Sequence, residues 1–169
     1  MKNIILIGMP GAGKSTVGII LAKTLGMHFS DTDIMIQEHA GRLLQEMIDA
    51  EGAASFLKME EKTVLSLDCQ STVIATGGSV VFSRKAMEYL KQYGVVVYLK
   101  ISFEEMEKRL SNITTRGIIL HAGQSLRDMY NERVPLYEQY ADRTVACSDE
   151  DFETVVEKVV EELKNLNGL

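Results

Sequence analysis

Residues 4–16 read Ile4-Ile5-Leu6-Ile7-Gly8-Met9-Pro10-Gly11-Ala12-Gly13-Lys14-Ser15-Thr16, and the order of residue types within them decides the fold. Ile4 to Ile7 is an uninterrupted apolar run, the pattern of a strand covered on both faces. From Lys14 onward, Val17, Ile20, Leu21 and Leu25 recur at helical spacing. Between strand and helix, Gly8-x4-Gly13-Lys14-Ser15 matches the Walker A pattern, in which glycines let successive backbone N–H groups converge on phosphate oxygens at a helix N-terminus. Lys14 supplies a point charge, and the Ser15 hydroxyl is placed to bind Mg²⁺ bridging the β- and γ-phosphates. The nucleotide-binding candidates are Gly11, Ala12, Gly13, Lys14, Ser15 and Thr16. Switches, motors, transporters and kinases share this loop, so the remaining sequence must choose among them.

Outward from the loop, apolar strand patterns alternate with helical ones. A short second strand ends near Phe29-Ser30, and "DTDIMIQEHAG" and "LLQEMIDAEGAASFLKMEEKTVLSL" read as helices punctuated by Gly41 and Gly52. "TVIAT", "VVVYL" and "TVAC" are further strand candidates, alternating with helices near Arg84–Gln92, Phe103–Leu110 and Phe152–Leu163. The alternation predicts an α/β fold: a three-layer α/β/α, doubly wound, five-stranded parallel sheet. "SNITTRGIILHAGQ", residues 111–124, is the least periodic stretch and reads as a mobile lid or a surface loop. No repeat or linker divides residues 1–169, so one domain is expected.

Composition narrows the partners. Eighteen basic against 24 acidic side chains give a net charge of -6 with no basic run, which argues against nucleic acid. Residues 4–8 are too short for a membrane span, and no membrane association is expected. Cys69 and Cys147 show no CxxC spacing and read as small core residues of a reduced, cytosolic protein. His28, His39 and His121 form no metal-ligand spacing. A monomer acting on a small molecule is expected.

Asp31-Thr32-Asp33 follows the second strand and falls at the carboxyl edge of the sheet, where ligands of open α/β sheets collect. Asp31 could hold Mg²⁺ through water, while Asp33 could accept a hydrogen bond from the hydroxyl being phosphorylated and orient it for in-line attack. The alternative is a helix N-cap at Asp31 or Thr32.

Taken in order and spacing, GxxxxGKST, DTD, "FLKMEEKTVL", "ATGGSV", "TTRGIIL" and "NERVPLYEQYAD" resemble the shikimate kinase family over nearly the whole chain. The resemblance implies a nucleoside-monophosphate-kinase-like fold that transfers the γ-phosphate of ATP to the 3-hydroxyl of shikimate, a step of the chorismate pathway. It implies acceptor-binding helices at about 33–62 and a lid at about 111–124. It assigns Lys14 and Ser15 to ATP and Mg²⁺, Asp31 to the metal, and Asp33 to the acceptor hydroxyl. Gly77 and Gly78 would bring backbone N–H groups close to the acceptor, the alternative being a tight strand-to-helix turn. Arg116 would close over the transferring phosphate, Arg109 would lie against adenine unless it is an exposed helix charge, and Arg133 would grip the substrate carboxylate. Glu60 would hydrogen-bond an acceptor hydroxyl or pair with Arg133, the alternative being a solvated helix face.

Departures gather at the acceptor end. The family usually reads Phe-Arg-x-x-Glu where this chain has Phe56-Leu57-Lys58-Met59-Glu60, so a second cation for the carboxylate is missing. Lys58 is adjacent but points about 100° away around a helix and is no simple substitute. Losing a hydrogen bond to a charged group, roughly 1.5–3 kcal/mol, weakens carboxylate binding about ten- to a hundredfold or more. Ser79 stands where a third glycine is usual, Ile19 replaces an arginine, and Gly117 replaces the lid proline, loosening that segment. Three readings follow: phosphorylation of shikimate, phosphorylation of another hydroxylated metabolite by the same fold, or a nucleotide-binding regulatory protein without transfer.

Overall fold

The structure is a computed structural model that describes residues 2–111 and 117–166. Five strands, β1 (Asn3–Ile7), β2 (His28–Asp31), β3 (Thr72–Ala75), β4 (Gly94–Lys100) and β5 (Arg143–Ala146), form one sheet in the order β2-β3-β1-β4-β5. Every pairing is parallel. The apolar run that opens the chain becomes the central strand: β1 is buried throughout, as is β3, whereas the edge strands β2 and β5 are partly exposed. Parallel sheets require this covering on both faces.

The helices are α1 (Lys14–Leu25), α2 (Thr32–Ala40), α3 (Leu44–Glu51), α4 (Ala53–Leu65), α5 (Arg84–Tyr93), α6 (Phe103–Ser111), α7 (Leu126–Tyr140) and α8 (Phe152–Lys164). Helices α1 and α8 pack together, as do α4 and α5, with the sheet between the layers. The long apolar stretch from Leu43 to Leu67 divides into α3 and α4 at Gly52, whose φ of 85° interrupts the helix. The sequence reading assigns no element to "NERVPLYEQYAD", where Pro135 removes an N–H from any helical ladder. The chain nonetheless forms α7 across it. Pro135 lies on the exposed side, a Ser125–Asp128 capping box starts the helix, and the buried Met129, Arg133 and Tyr137 hold its inner face.

Two apolar clusters result. The larger surrounds the sheet. The smaller joins Ile36, Leu44, Met47, Phe56 and Ile119, with Leu57 packed against it, and so ties α2, α3 and α4 to the segment after residue 116. Ile119 is 3% exposed, so this part of the expected lid is anchored in a core rather than lying loose on the surface. Gly117 has no room for a side chain, since a Cβ there would meet Leu44 Cβ at 2.5 Å. The expectation that Gly117 loosens the segment is therefore corrected: its smallness permits close packing against the start of α3. Among the described residues, no helix is long and apolar enough to cross a membrane.

Candidate active site

The loop between β1 and α1 and the loop after β3 open onto one cleft of about 320 Å³ at the carboxyl ends of the central strands. Gly13 caps α1 with a left-handed backbone (φ 91°) and no side-chain cap, which leaves the first N–H groups of the helix directed at the cleft. Lys14 is buried and donates to the carbonyls of Gly8 at 2.7 Å and Met9 at 2.8 Å, so its ammonium is held at the loop. Gly11 and Ala12 are buried beneath it, while Ser15 and Thr16 are exposed.

Asp31 takes the N-cap position, one of the two readings offered for it. Its Oδ1 accepts from the N–H groups of Asp33 and Ile34 and caps α2. Its Oδ2 accepts from the Ser15 hydroxyl at 2.5 Å. One side chain thus fixes the start of α2 and reaches the phosphate loop. The Ser15 and Asp31 oxygens are hard ligands of the kind Mg²⁺ takes, one or two from protein with phosphates and water completing the shell, so the pair fits that ion. Among the described residues, no group of three or more His, Cys, Asp or Glu could hold a metal by itself.

Thr32, fully buried, ties the same stretch to the strand β3 loop by accepting from the Gly77 N–H at 3.3 Å. That N–H is committed, which corrects the expectation that Gly77 offers its N–H to an acceptor. What Gly77 provides is space: a Cβ there would lie 2.3 Å from Glu60 Oε2 and 2.8 Å from Asp33 Oδ1. At Gly78 the two ends of the site meet, since a Cβ would stand 3.0 Å from Pro10 Cδ and 3.2 Å from Arg133 Nη1. Tyr137, one turn beyond Arg133, donates to the Gly78 carbonyl at 2.5 Å and sets the turn. Burial pushes the Tyr137 phenol up to about 12, so it remains a donor.

Arg133 is 2% exposed, donates from Nη2 to the Ile119 carbonyl at 2.7 Å and stacks its guanidinium over Phe82 at 5.2 Å. Its Nε has no partner, and no carboxylate lies within ion-pair distance among the described residues. Glu60 is 2% exposed, which excludes the solvated-face alternative. It does not form an ion pair with Arg133; its Oε1 accepts from the Ser79 hydroxyl at 2.7 Å. Burial first, and the Asp33 charge second, push Glu60 up to about 8.

At the donor end, Arg109 is half-buried, pairs with Glu105 one turn earlier and donates to the Gly11 carbonyl at 2.7 Å, so it is not a free helix charge. Sequence reasoning missed Phe152, whose 41% exposed ring lies against Gly13 on the side where Arg109 stands. It also missed the Ser79–Glu60 pair. A serine among glycines was its only signal. Lys58 is exposed and Leu57 packs in the smaller apolar cluster, so α4 presents no cation at that place. Arg116, the expected lid arginine, lies outside the described residues.

Comparison with known proteins places this arrangement. The family model described as shikimate kinase matches residues 10–164. The chain belongs to the shikimate kinase family. A shikimate kinase of Haemophilus influenzae is 37% identical across 99% of this chain and 96% of its own. A solved structure of the Acinetobacter baumannii shikimate kinase in complex with shikimate is 31% identical and superposes with a TM-score of 0.92, covering 99% of this chain and 95% of that one. The Aquifex aeolicus shikimate kinase gives 0.85 at 29% identity, covering 99% of each. The likeness extends to the three-layer parallel fold as a whole, so this member of the family shares the architecture expected from its sequence.

Proposed function

We propose that this kinase transfers the γ-phosphoryl group of ATP to the 3-hydroxyl of shikimate, giving shikimate 3-phosphate. Family membership and the relatives' activity support the reaction. The observation that carries the reading in this chain is Gly78, packed between Pro10 of the phosphate loop and the buried cation of Arg133. That packing brings donor and acceptor ends into one cleft.

In this reading the glycine loop and the N-terminus of α1 cradle the phosphates, Lys14 neutralises charge on the transferring group, and Arg109 with the exposed Phe152 ring supports the base. Ser15 and Asp31 would hold Mg²⁺, which would supply positive charge against the phosphates during transfer. Asp33 accepts from the attacking hydroxyl and orients it in line. Glu60 contacts a neighbouring hydroxyl, Gly77 and Gly78 leave room for the ring, and Arg133 grips the carboxylate through its unused donors. Arg116 is assigned to the phosphate by resemblance. The whole chain would act as one catalytic domain, a cytosolic monomer without nucleic-acid or membrane partners; the acidic balance and two free cysteines support this.

A second reading, an acceptor without a carboxylate, is favoured by Leu57, which occupies an apolar cluster where a second clamp would be needed. Product formation with ATP and Mg²⁺ across shikimate, quinate, gluconate and nucleoside monophosphates separates the two. Shikimate is expected to be the preferred acceptor. Its complete inertness at millimolar concentration would remove the first reading, and inertness of all four would favour a regulatory protein.

A further inference from the structure

The hydroxyl of Ser79 is buried where it does specific work. Ser79 is 6% exposed, and its backbone is ordinary right-handed helical (φ −91°, ψ −3°), so the main chain makes no demand on the residue type. Its hydroxyl donates to Glu60 Oε1. The other oxygen, Oε2, is buried without a partner among the described residues and stands with Asp33 Oδ1 over Gly77, behind a wall of the cleft to which Gly77, Asp33 and Ser79 contribute. One oxygen of this carboxyl is tied and the other is bare.

We propose that Ser79 is a positioning residue for the acceptor: by tying Oε1 it turns Glu60 Oε2 toward an acceptor hydroxyl bound beside Asp33. The inference rests on the acceptor reading of the cleft given above. Because Ser79 gives its proton to Oε1, the carboxyl's own proton resides on Oε2 when Glu60 is neutral. The charged groups facing Glu60 are Asp33 from α2, which raises it after burial, and Arg133 from α7 and Lys14 from α1, which lower it. The balance is a pKa pushed up to about 8, so at neutral pH the acid is protonated. Glu60 then donates through Oε2 while Asp33 accepts. Two neighbouring hydroxyls, each both donor and acceptor, can satisfy both carboxyl groups at once, which makes a vicinal diol the matching acceptor chemistry. Above its pKa, Glu60 has no proton to give and repels Asp33.

The test is the pH dependence of acceptor kcat/KM in Ser79→Ala and Glu60→Gln. Ser79→Ala is expected to raise the acceptor KM about tenfold and kcat to change by less than about threefold. The alkaline limb should move upward from near 8, because the lost hydrogen bond had been lowering Glu60. A role confined to packing would not move that limb. Glu60→Gln, which accepts from Ser79 through oxygen and donates through nitrogen, should lose the limb altogether. An infrared band of a buried neutral carboxylic acid at pH 7, present in the unsubstituted protein and absent in Glu60→Gln, reads the same state without any acceptor. That readout separates failure of this inference from failure of shikimate turnover. An unmoved KM and limb in Ser79→Ala, or no acid band at pH 7, overturns the proposal. If Ser79→Ala does not fold, the limb and band of Glu60→Gln decide.

Discussion

Arg133 is among the largest fully buried side chains of the described residues, and a buried guanidinium with an unused Nε is costly unless an anion arrives. Substituting methionine keeps volume and removes the charge. Arg133→Met is expected to raise the shikimate KM on the order of a hundredfold and the ATP KM by less than about threefold, measured by steady-state kinetics. Glu60 carries a stability signature of its own. Its folded pKa lies near 8, above the ordinary carboxylate value, so the native state holds a proton that the unfolded chain gives up from about pH 4.5. Stability must then fall as pH rises from near 4.5 toward 8 and level off above it. Thermal unfolding against pH should show a slope of a few kcal/mol in total, flattened by Glu60→Gln; an equal slope in both proteins would place Glu60 in water. The two carboxylates of DTD were legible because their place after a strand is a matter of local pattern. The partner of Glu60 was not, since Ser79 lies 19 positions away on another element and only the packing of α4 against the loop joins them.

At the scale of elements, α4 and α7 each supply a residue to the cleft, Phe56 and Arg133. Leu57 lies one turn before Glu60 on α4, and residues three apart share a helix face. Leu57→Arg is expected to lower the shikimate KM about tenfold through a second charged hydrogen bond. No change would mean that the carboxylate sits elsewhere in the cleft. The same substitution should cost stability, because Leu57 packs in the smaller cluster with Phe56 and Ile36. Gly117 tests the neighbouring wall. Gly117→Ala should lower the melting temperature and weaken the acceptor site together, since its Cβ would press on Leu44. The strand-helix alternation and the break at Gly52 were readable from periodicity and punctuation. Helix α7 was not, because Pro135 violates the local rule and the buried residues Met129, Arg133 and Tyr137 override it through tertiary contact.

Across the whole molecule, the phosphate loop is completed by residues far along the chain. Arg109 on α6 donates to Gly11, and Phe152, the first residue of α8, covers Gly13. Phe152→Ala should raise the ATP KM roughly tenfold if the ring supports the base, with stacking worth about 1–3 kcal/mol. An unaltered ATP KM would leave Phe152 as packing for the loop alone. The parallel sheet and the Walker loop were legible in the sequence, because central parallel strands must be continuous apolar runs; the strand order was not, since it is set by which strands pair across the chain. Phe152 was hidden because an aromatic at the start of a surface helix gives no sign of what it faces. The central claim is that one cleft presents ATP to a hydroxylated acceptor whose carboxylate is held by the buried Arg133. The most direct test compares kcat/KM for shikimate with that for its neutral methyl ester, at saturating ATP and Mg²⁺. The account predicts shikimate to be favoured by about tenfold or more; equal or better turnover of the ester would contradict it.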